Sequence, residues 1–250
     1  MEEWYHYLLL IVVGFAVGFI NTVAGGGSLL SLPVLIFLGL PANLANGTNR
    51  VAIVIQTAIA TAGFKSKGVS TYPFNVYLGI SAFLGSIIGA YIAVDITGDL
   101  FKQILAIIMI GVVCLIVFGP KLSLQVVEER LTGKYLWLGI IVFFLFGIYG
   151  GFINAGLGFL MILFLHYVNR MSLVRSNATK VAVVCMYMIS ALVVFILNDL
   201  VNWKIGLILA IGNGSGAWFA SRFSVSKGDG FIKTFLVVMV VIMAVKLWFF

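Results

Sequence analysis

The chain has 250 residues, 62% of them hydrophobic and 9% charged, with a formal net charge of +7. Soluble domains average about 45–50% apolar and about 25% charged residues, and a fold of this size cannot hide so large an apolar excess from water. Lipid is therefore the solvent for most of the chain, and the basic excess reads as orientation and headgroup contact, not nucleic-acid binding.

Ten apolar segments follow one another, at 4–24, 29–40, 46–64, 72–94, 102–119, 135–155, 159–168, 176–197, 204–220 and 232–249. The first reads as a retained helix, because Glu2 and Glu3 stand where a secretion leader would be basic. It runs into Asn21-Thr22-Val23-Ala24-Gly25-Gly26-Gly27-Ser28. Three consecutive glycines do not continue a helix cheaply, at about 1 kcal/mol each relative to alanine. They free backbone N–H groups where the next helix starts, which suits an anion; a tight turn between packed helices is the plainer reading. The second segment, twelve residues, is about 18 Å long as a helix and falls short of a hydrocarbon core of about 30 Å. It reads as a half-helix or re-entrant element.

The third segment opens with Asn46-Gly47-Thr48-Asn49-Arg50. A cation about one turn into a span is costly and usually faces a polar cavity, although snorkelling to headgroups is an alternative. Gln56 reads as a polar packing residue. In the fourth segment Gly85 and Gly89 form a GxxxG pair that predicts close helix packing. Cys114 lies in the fifth segment and Cys185 in the eighth; they share no metal or redox spacing and read as packing residues. Residues 120–134, with Lys121, Glu128, Glu129, Arg130 and Lys134, form the longest polar connection and mark the midpoint.

Beyond it, Asn154-Ala155-Gly156-Leu157-Gly158 follows the sixth segment as a second glycine break, and the seventh segment is again short. His166, within it, reads as a packing residue in preference to a proton relay. The eighth segment opens with Ser176-Asn177-Ala178-Thr179-Lys180, and the ninth carries Gly212 and Gly216 around Asn213, a polar side chain that could face a pathway.

These recurrences are collinear. Gly18-Phe19-Ile20-Asn21 returns as Gly151-Phe152-Ile153-Asn154, Arg50-Val51-Ala52 as Lys180-Val181-Ala182, and the Gly85 stretch as the Gly212 stretch. Five segments per half put the second half in the membrane upside down, the inverted repeat of many secondary transporters, whose substrate sits between the repeats near the midplane. With an outside N-terminus, ten Lys and Arg residues fall in inside loops and two, Lys102 and Lys204, in outside loops. That bias predicts both termini outside. No catalytic motif or metal-ligand cluster stands out, so neither an enzyme nor a bound cofactor is expected.

The run from Gly18 to Arg50, with Asn21, Ala24 to Ser28, Pro33, Gly39-Leu40-Pro41, Ala45 and Gly47-Thr48-Asn49, resembles the signature of the sulfite exporter TauE/SafE family. The match from Gly147 to Lys180 is weaker, and its triple glycine is missing. The resemblance implies a bacterial inner-membrane permease for sulfite, sulfoacetate or other organosulfonates. It implies one site wall made by Asn21, Gly25, Gly26, Gly27, Asn49 and Arg50, and another made by Asn154, Gly158, Thr179 and Lys180.

The expectation is an all-α integral membrane protein of about ten hydrophobic segments, eight to ten of them spans. Residues 1–119 form one inverted-topology repeat, 120–134 a cytoplasmic linker and 135–250 the second repeat. Its partners would be a small anion and membrane lipids, with a homo-oligomer compatible. A passive anion channel, a non-transporting membrane scaffold and a membrane enzyme are the rival readings.

Overall fold

The computed structural model describes residues 4–96, 98–118 and 128–249. Among the described residues it is helical, without strands: α1 (Trp4–Ala24), α2 (Ser28–Phe37), α3 (Ala42–Lys65), α4 (Phe74–Asp95), α5 (Gly98–Phe118), α6 (Gly133–Phe152), α7 (Leu157–Tyr167), α8 (Leu173–Leu197) and α9 (Trp203–Phe249). Gly228, at φ 71° and ψ −169°, is not helical and divides α9 into two arms. Most of the 120–134 connection and the side chain of Cys114 lie outside what is described.

Among the described residues, four helices are long and apolar enough to cross a bilayer: Tyr5–Ala24, Phe74–Asp95, Gly133–Phe152 and Leu173–Leu197. Their outer surfaces carry exposed Val12, Ile141, Leu145 and Leu197, while Asn46, Arg50, Gln56, Lys180 and Asn213 are buried. Apolar outside and polar inside is the arrangement a hydrocarbon solvent demands. As anticipated, α2 and α7 are short, at 10 and 11 residues.

Several boundaries differ from the sequence reading, each for a local reason. α3 begins four residues before 46 because Asn43 and Asn46 are not loop residues. Their amides donate to the Ile96 and Phe152 carbonyls at 2.8 and 3.0 Å. α2 stops at Phe37 as the chain turns through Gly39. The first arm of α9 continues past 220 through Arg222 and Lys227, whose cations are favoured near a helix C-terminus and reach headgroups by snorkelling.

Contacts recur in pairs. α1 packs on α9 as α6 packs on α4; α3 packs on α9 as α8 packs on α4; and α3 meets α8 directly. The two principal crossings use small residues. Gly14 and Gly18 of α1 press on the backbone of Leu209 and Asn213, while Gly212 and Gly216 press back on Ile11 and Phe15. In the same way Gly85 and Gly89 press on Phe144 and Ile148, and Gly147 and Gly151 on Ala82 and Ser86. The GxxxG pairs therefore do bring helices into close contact, each meeting a second small-residue pair that sequence reading passed over. Because the carbonyl of Ile148 occupies the place of a Cβ at residue 89, Gly89→Ala should destabilise the protein by about 1–3 kcal/mol, the usual cost of overpacking. A lowered melting temperature in detergent is the expected measurement.

Candidate functional site

The site is built on two broken helices. α1 ends at Ala24, the chain turns through Gly25 at φ 77°, and α2 starts at Ser28. α6 ends at Phe152, the chain turns through Gly156 at φ 72°, and α7 starts at Leu157. An L side chain is strained at such a φ, which is why a glycine stands at each turn. One left-handed glycine turns the chain at each break, although the breaks differ: Asn21 is still helical in α1, whereas α6 ends two residues before Asn154. The two breaks touch. A Cβ on Gly158 would lie 2.5 Å from the Gly25 Cα, and a Cβ on Gly25 would overlap the Gly158 backbone.

A broken helix presents both of its ends to the interior. The carbonyl ends of α1 and α6 are negative poles and the N–H starts of α2 and α7 positive ones, and local turns satisfy part of each: Gly25 N–H bonds the Asn21 carbonyl, and Leu29, Leu30 and Phe159 N–H bond the Gly26, Gly27 and Gly156 carbonyls. The buried cations cap the negative poles, each across the molecule. Lys180 of α8 donates from Nζ to the Asn21 carbonyl at 2.9 Å, the Thr22 carbonyl at 2.8 Å and Asn177 Oδ1 at 2.6 Å. Arg50 of α3 donates to the Gly150, Gly151 and Phe152 carbonyls that end α6. Its guanidinium carbon also lies 4.4 Å from the centre of the Phe195 ring. Neither cation snorkels: Arg50 is 1% and Lys180 2% exposed. With the carbonyl ends neutralised, the N-termini of α2 and α7 are left as the uncompensated poles of the centre.

The asparagine contacts recur one residue out of step with the sequence recurrence. Asn46 donates to the Phe152 carbonyl and accepts from Arg50, and Asn177 donates to the Val23 carbonyl and accepts from Lys180. Thr48 accepts from the Asn202 backbone in the α8–α9 turn, and Thr179 pairs with Thr71 in the α3–α4 turn. Asn46 thus corresponds to Asn177 and Thr48 to Thr179. Lys180 then corresponds to Asn49, one place before Arg50, and the matching of Arg50 to Lys180 is one residue out of step. Both cations still reach a helix end, because each is long and lies within one turn of its asparagine.

Between the breaks lies a small polar cavity lined by Asn21, Gln56, Thr57, Asn154, Gly158 and Lys180, with Val181 and Val184 on its apolar side. Its volume is about 10 Å³, near the lower bound for one water molecule, so in this conformation it holds nothing larger. Of the residues read from the sequence as a site, Asn21, Asn154, Gly158 and Lys180 line this cavity, and Gly25 abuts Gly158. Gly26 and Gly27 give their carbonyls to the first turn of α2. Asn49 is buried, with an Oδ1 that has no partner. Arg50 lies on the α6 carbonyls and outside the cavity lining, and Thr179 bonds the Arg175 carbonyl and Thr71, towards the α3–α4 turn. His166 bonds the Met171 carbonyl at 2.8 Å, a local tie.

Sequence reading missed the groups that orient these residues. Tyr187 donates to Asn154 Oδ1 at 2.6 Å, Asn154 in turn reaches Ser28 Oγ at 3.3 Å, and Tyr149 donates to the Ala155 carbonyl at 2.6 Å. The available signal for Tyr187 is a phenol in the middle of an apolar helix, where its hydroxyl needs a buried partner.

The family described as sulfite exporter TauE/SafE matches residues 10–247. A probable membrane transporter protein of Haemophilus influenzae is 29% identical, over 96% of this chain and 93% of the relative. The probable membrane transporter protein ORF9 of Sinorhizobium sp is 27% identical over 99% and 95%. The probable membrane transporter protein YfcA of Escherichia coli K12 is 30% identical over 96% and 88%. No solved structure matches the chain.

Proposed function

Given that the chain belongs to the sulfite exporter TauE/SafE family, we propose that it is a transmembrane transporter of small sulfur-containing anions such as sulfite or sulfoacetate. The observation that carries this reading is the meeting of two helix breaks. The first turn of α7 lines a buried cavity beside Lys180 through Gly158, Gly25 ahead of α2 abuts Gly158, and Lys180 and Arg50 cap the carbonyl ends of α1 and α6. Discontinuous helices whose N-terminal ends face an anionic group are a recurrent transporter device. The anion sits between Gly25 and Gly158, beside Asn21, Asn154 and Lys180, and takes N–H groups from the Gly26–Gly27 and Leu157–Gly158 starts. Arg50, with Asn49 and Thr179 beside the two caps, holds the frame in place.

The reciprocal helix contacts support two inverted repeats of five segments, 1–119 and 135–250, joined by 120–134. The repeats are interleaved, since α1 packs on α9 and α6 on α4. The moving bodies are therefore cross-repeat pairs, not the two halves. The distribution of Lys and Arg supports an inner-membrane protein with both termini outside. The closed cavity favours a carrier over an open channel. A thermal-shift series with purified protein against sulfite, thiosulfate, sulfoacetate, taurine, sulfate and phosphate tests the reading, because a ligand that binds the native state raises its melting point. Stabilisation by a sulfur oxyanion, with saturable uptake of the same compound into proteoliposomes, is expected; no stabilisation by any of them and no uptake would end it.

A further inference from the structure

Lys180 cannot be the anion's hydrogen-bond donor in this arrangement, because an ammonium has three protons and Asn21, Thr22 and Asn177 take all three. Arg50 does not line the cavity. The donors must come from elsewhere, and among the lining residues Gln56 carries a fully buried amide nitrogen with no partner. Gln56, on α3, is fully buried. Its Oε1 accepts from Asn213 Nδ2 at 3.2 Å, and its Nε2 has no partner. An unpaired buried donor costs about 1–3 kcal/mol, and such a group in a cavity wall calls for an acceptor.

We propose that the Gln56 amide, held by Asn213, is a specificity-determining donor to the transported anion. The inference rests on the transport reading above. Asn213 belongs to the stretch of α9 that presses on α1 at Gly18. The α1–α9 crossing thereby fixes the amide of α3 that faces the break between α1 and α2. In the repeat register set by the asparagines and threonines, the counterpart of Gln56 is Tyr187, which orients Asn154. The two halves thus supply a donor and an orienting group at matched positions. The site is asymmetric: one cation acts through space, and a neutral amide makes the contact. Sulfite or a sulfonate offers several oxygens to that amide and to the helix N-termini, whereas a halide offers a single centre. The amide therefore selects an oxyanion over a spherical anion.

The experiment is counterflow of labelled sulfite in proteoliposomes, with chloride as competitor. Gln56→Met keeps length and burial but removes the donor. It should raise the half-saturation concentration for sulfite at least about tenfold, the loss of a hydrogen bond to a charged acceptor, and should weaken discrimination against chloride. Gln56→Glu leaves an acceptor for Asn213 but brings negative charge to the cavity, and should abolish saturable flux. The double variant Gln56→Met/Asn213→Leu separates contact from packing. If the amide pair only ties α3 to α9, removing both orphaned partners restores the sulfite half-saturation, and the proposal is overturned. If Gln56 touches the anion, the double variant stays impaired. Should Gln56→Met not fold, the Glu variant and the double variant carry the same decision. Wild-type protein that shows no saturable sulfite flux would sink the transport reading together with this one. Wild-type flux with an unaltered half-saturation in Gln56→Met would sink this one alone.

Discussion

Gly25→Ala should both unfold the centre of the protein and stop transport. Two independent costs act at this position. The backbone sits at φ 77°, where an L residue pays about 1–2 kcal/mol. A Cβ would also overlap the carbonyl carbon and Cα of Gly158. That neighbour is backbone at the start of α7 and has no rotamer into which it can retreat, so overpacking of about 1–3 kcal/mol adds to the first term. The sum is a large share of a typical stability of about 5–15 kcal/mol. Gly158→Ala should behave similarly through the second cost alone, and combining the two changes should be non-additive, as for residues in contact. Melting temperatures of the two single variants and the double variant measure this. Additive, small shifts would mean that the two breaks do not meet.

Lys180→Met should have the second-largest effect, for reasons of charge and of structure. The substitution leaves the Thr22 carbonyl at the end of α1 and Asn177 Oδ1 without their donor, while the Asn21 carbonyl keeps the Gly25 N–H. Each buried orphan costs about 1–3 kcal/mol. It also leaves the negative pole of α1 uncompensated beside the cavity, which opposes the positive N-termini of α2 and α7. Sulfite flux should fall by two orders of magnitude or more, on the order of 3 kcal/mol of lost anion stabilisation, with a lowered melting temperature. Arg50→Met should destabilise to a comparable degree, because the Gly150 and Gly151 carbonyls of α6 lose their donor and the Phe152 carbonyl keeps only Asn46. In whatever fraction folds, the sulfite half-saturation should change less than in Lys180→Met, since Arg50 does not line the cavity. Equal shifts of half-saturation in the two variants would contradict this division of roles.

Much of the architecture is legible in the sequence, because it follows from local rules. The apolar runs place the helices, the short second and seventh runs are too short to span, and the glycines at 25 and 156 mark the breaks. Those signals depend on residues within one or two turns of each other. What was not legible depends on contacts between distant segments. Nothing local says that Lys180 reaches Asn21 and Thr22 of α1, or that Arg50 reaches the end of α6. The shared triplets Arg50-Val51-Ala52 and Lys180-Val181-Ala182 drew the repeat into a register one residue off. The matching contacts are instead those of Asn46 and Asn177 and those of Thr48 and Thr179. Gln56 read as a packing residue because its value lies in one unpaired atom, and only the position of Asn213 shows which atom that is. Asn213 itself stood out in the sequence, but as a pathway residue and not as the partner that holds Gln56.

The location of the anion can be read most directly at Thr57. Thr57 lines the cavity, and its side chain bonds the Ile53 and Val54 carbonyls of its own helix and the Cys185 thiol of α8. Thr57→Cys, in a background without Cys114 and Cys185, therefore places a thiol in the cavity wall at little structural cost. The rate at which a small methanethiosulfonate reagent modifies that thiol should fall steeply as sulfite is raised through its half-saturation range, and modification should block flux. A modification rate indifferent to saturating sulfite, in protein that still transports it, would put the anion elsewhere.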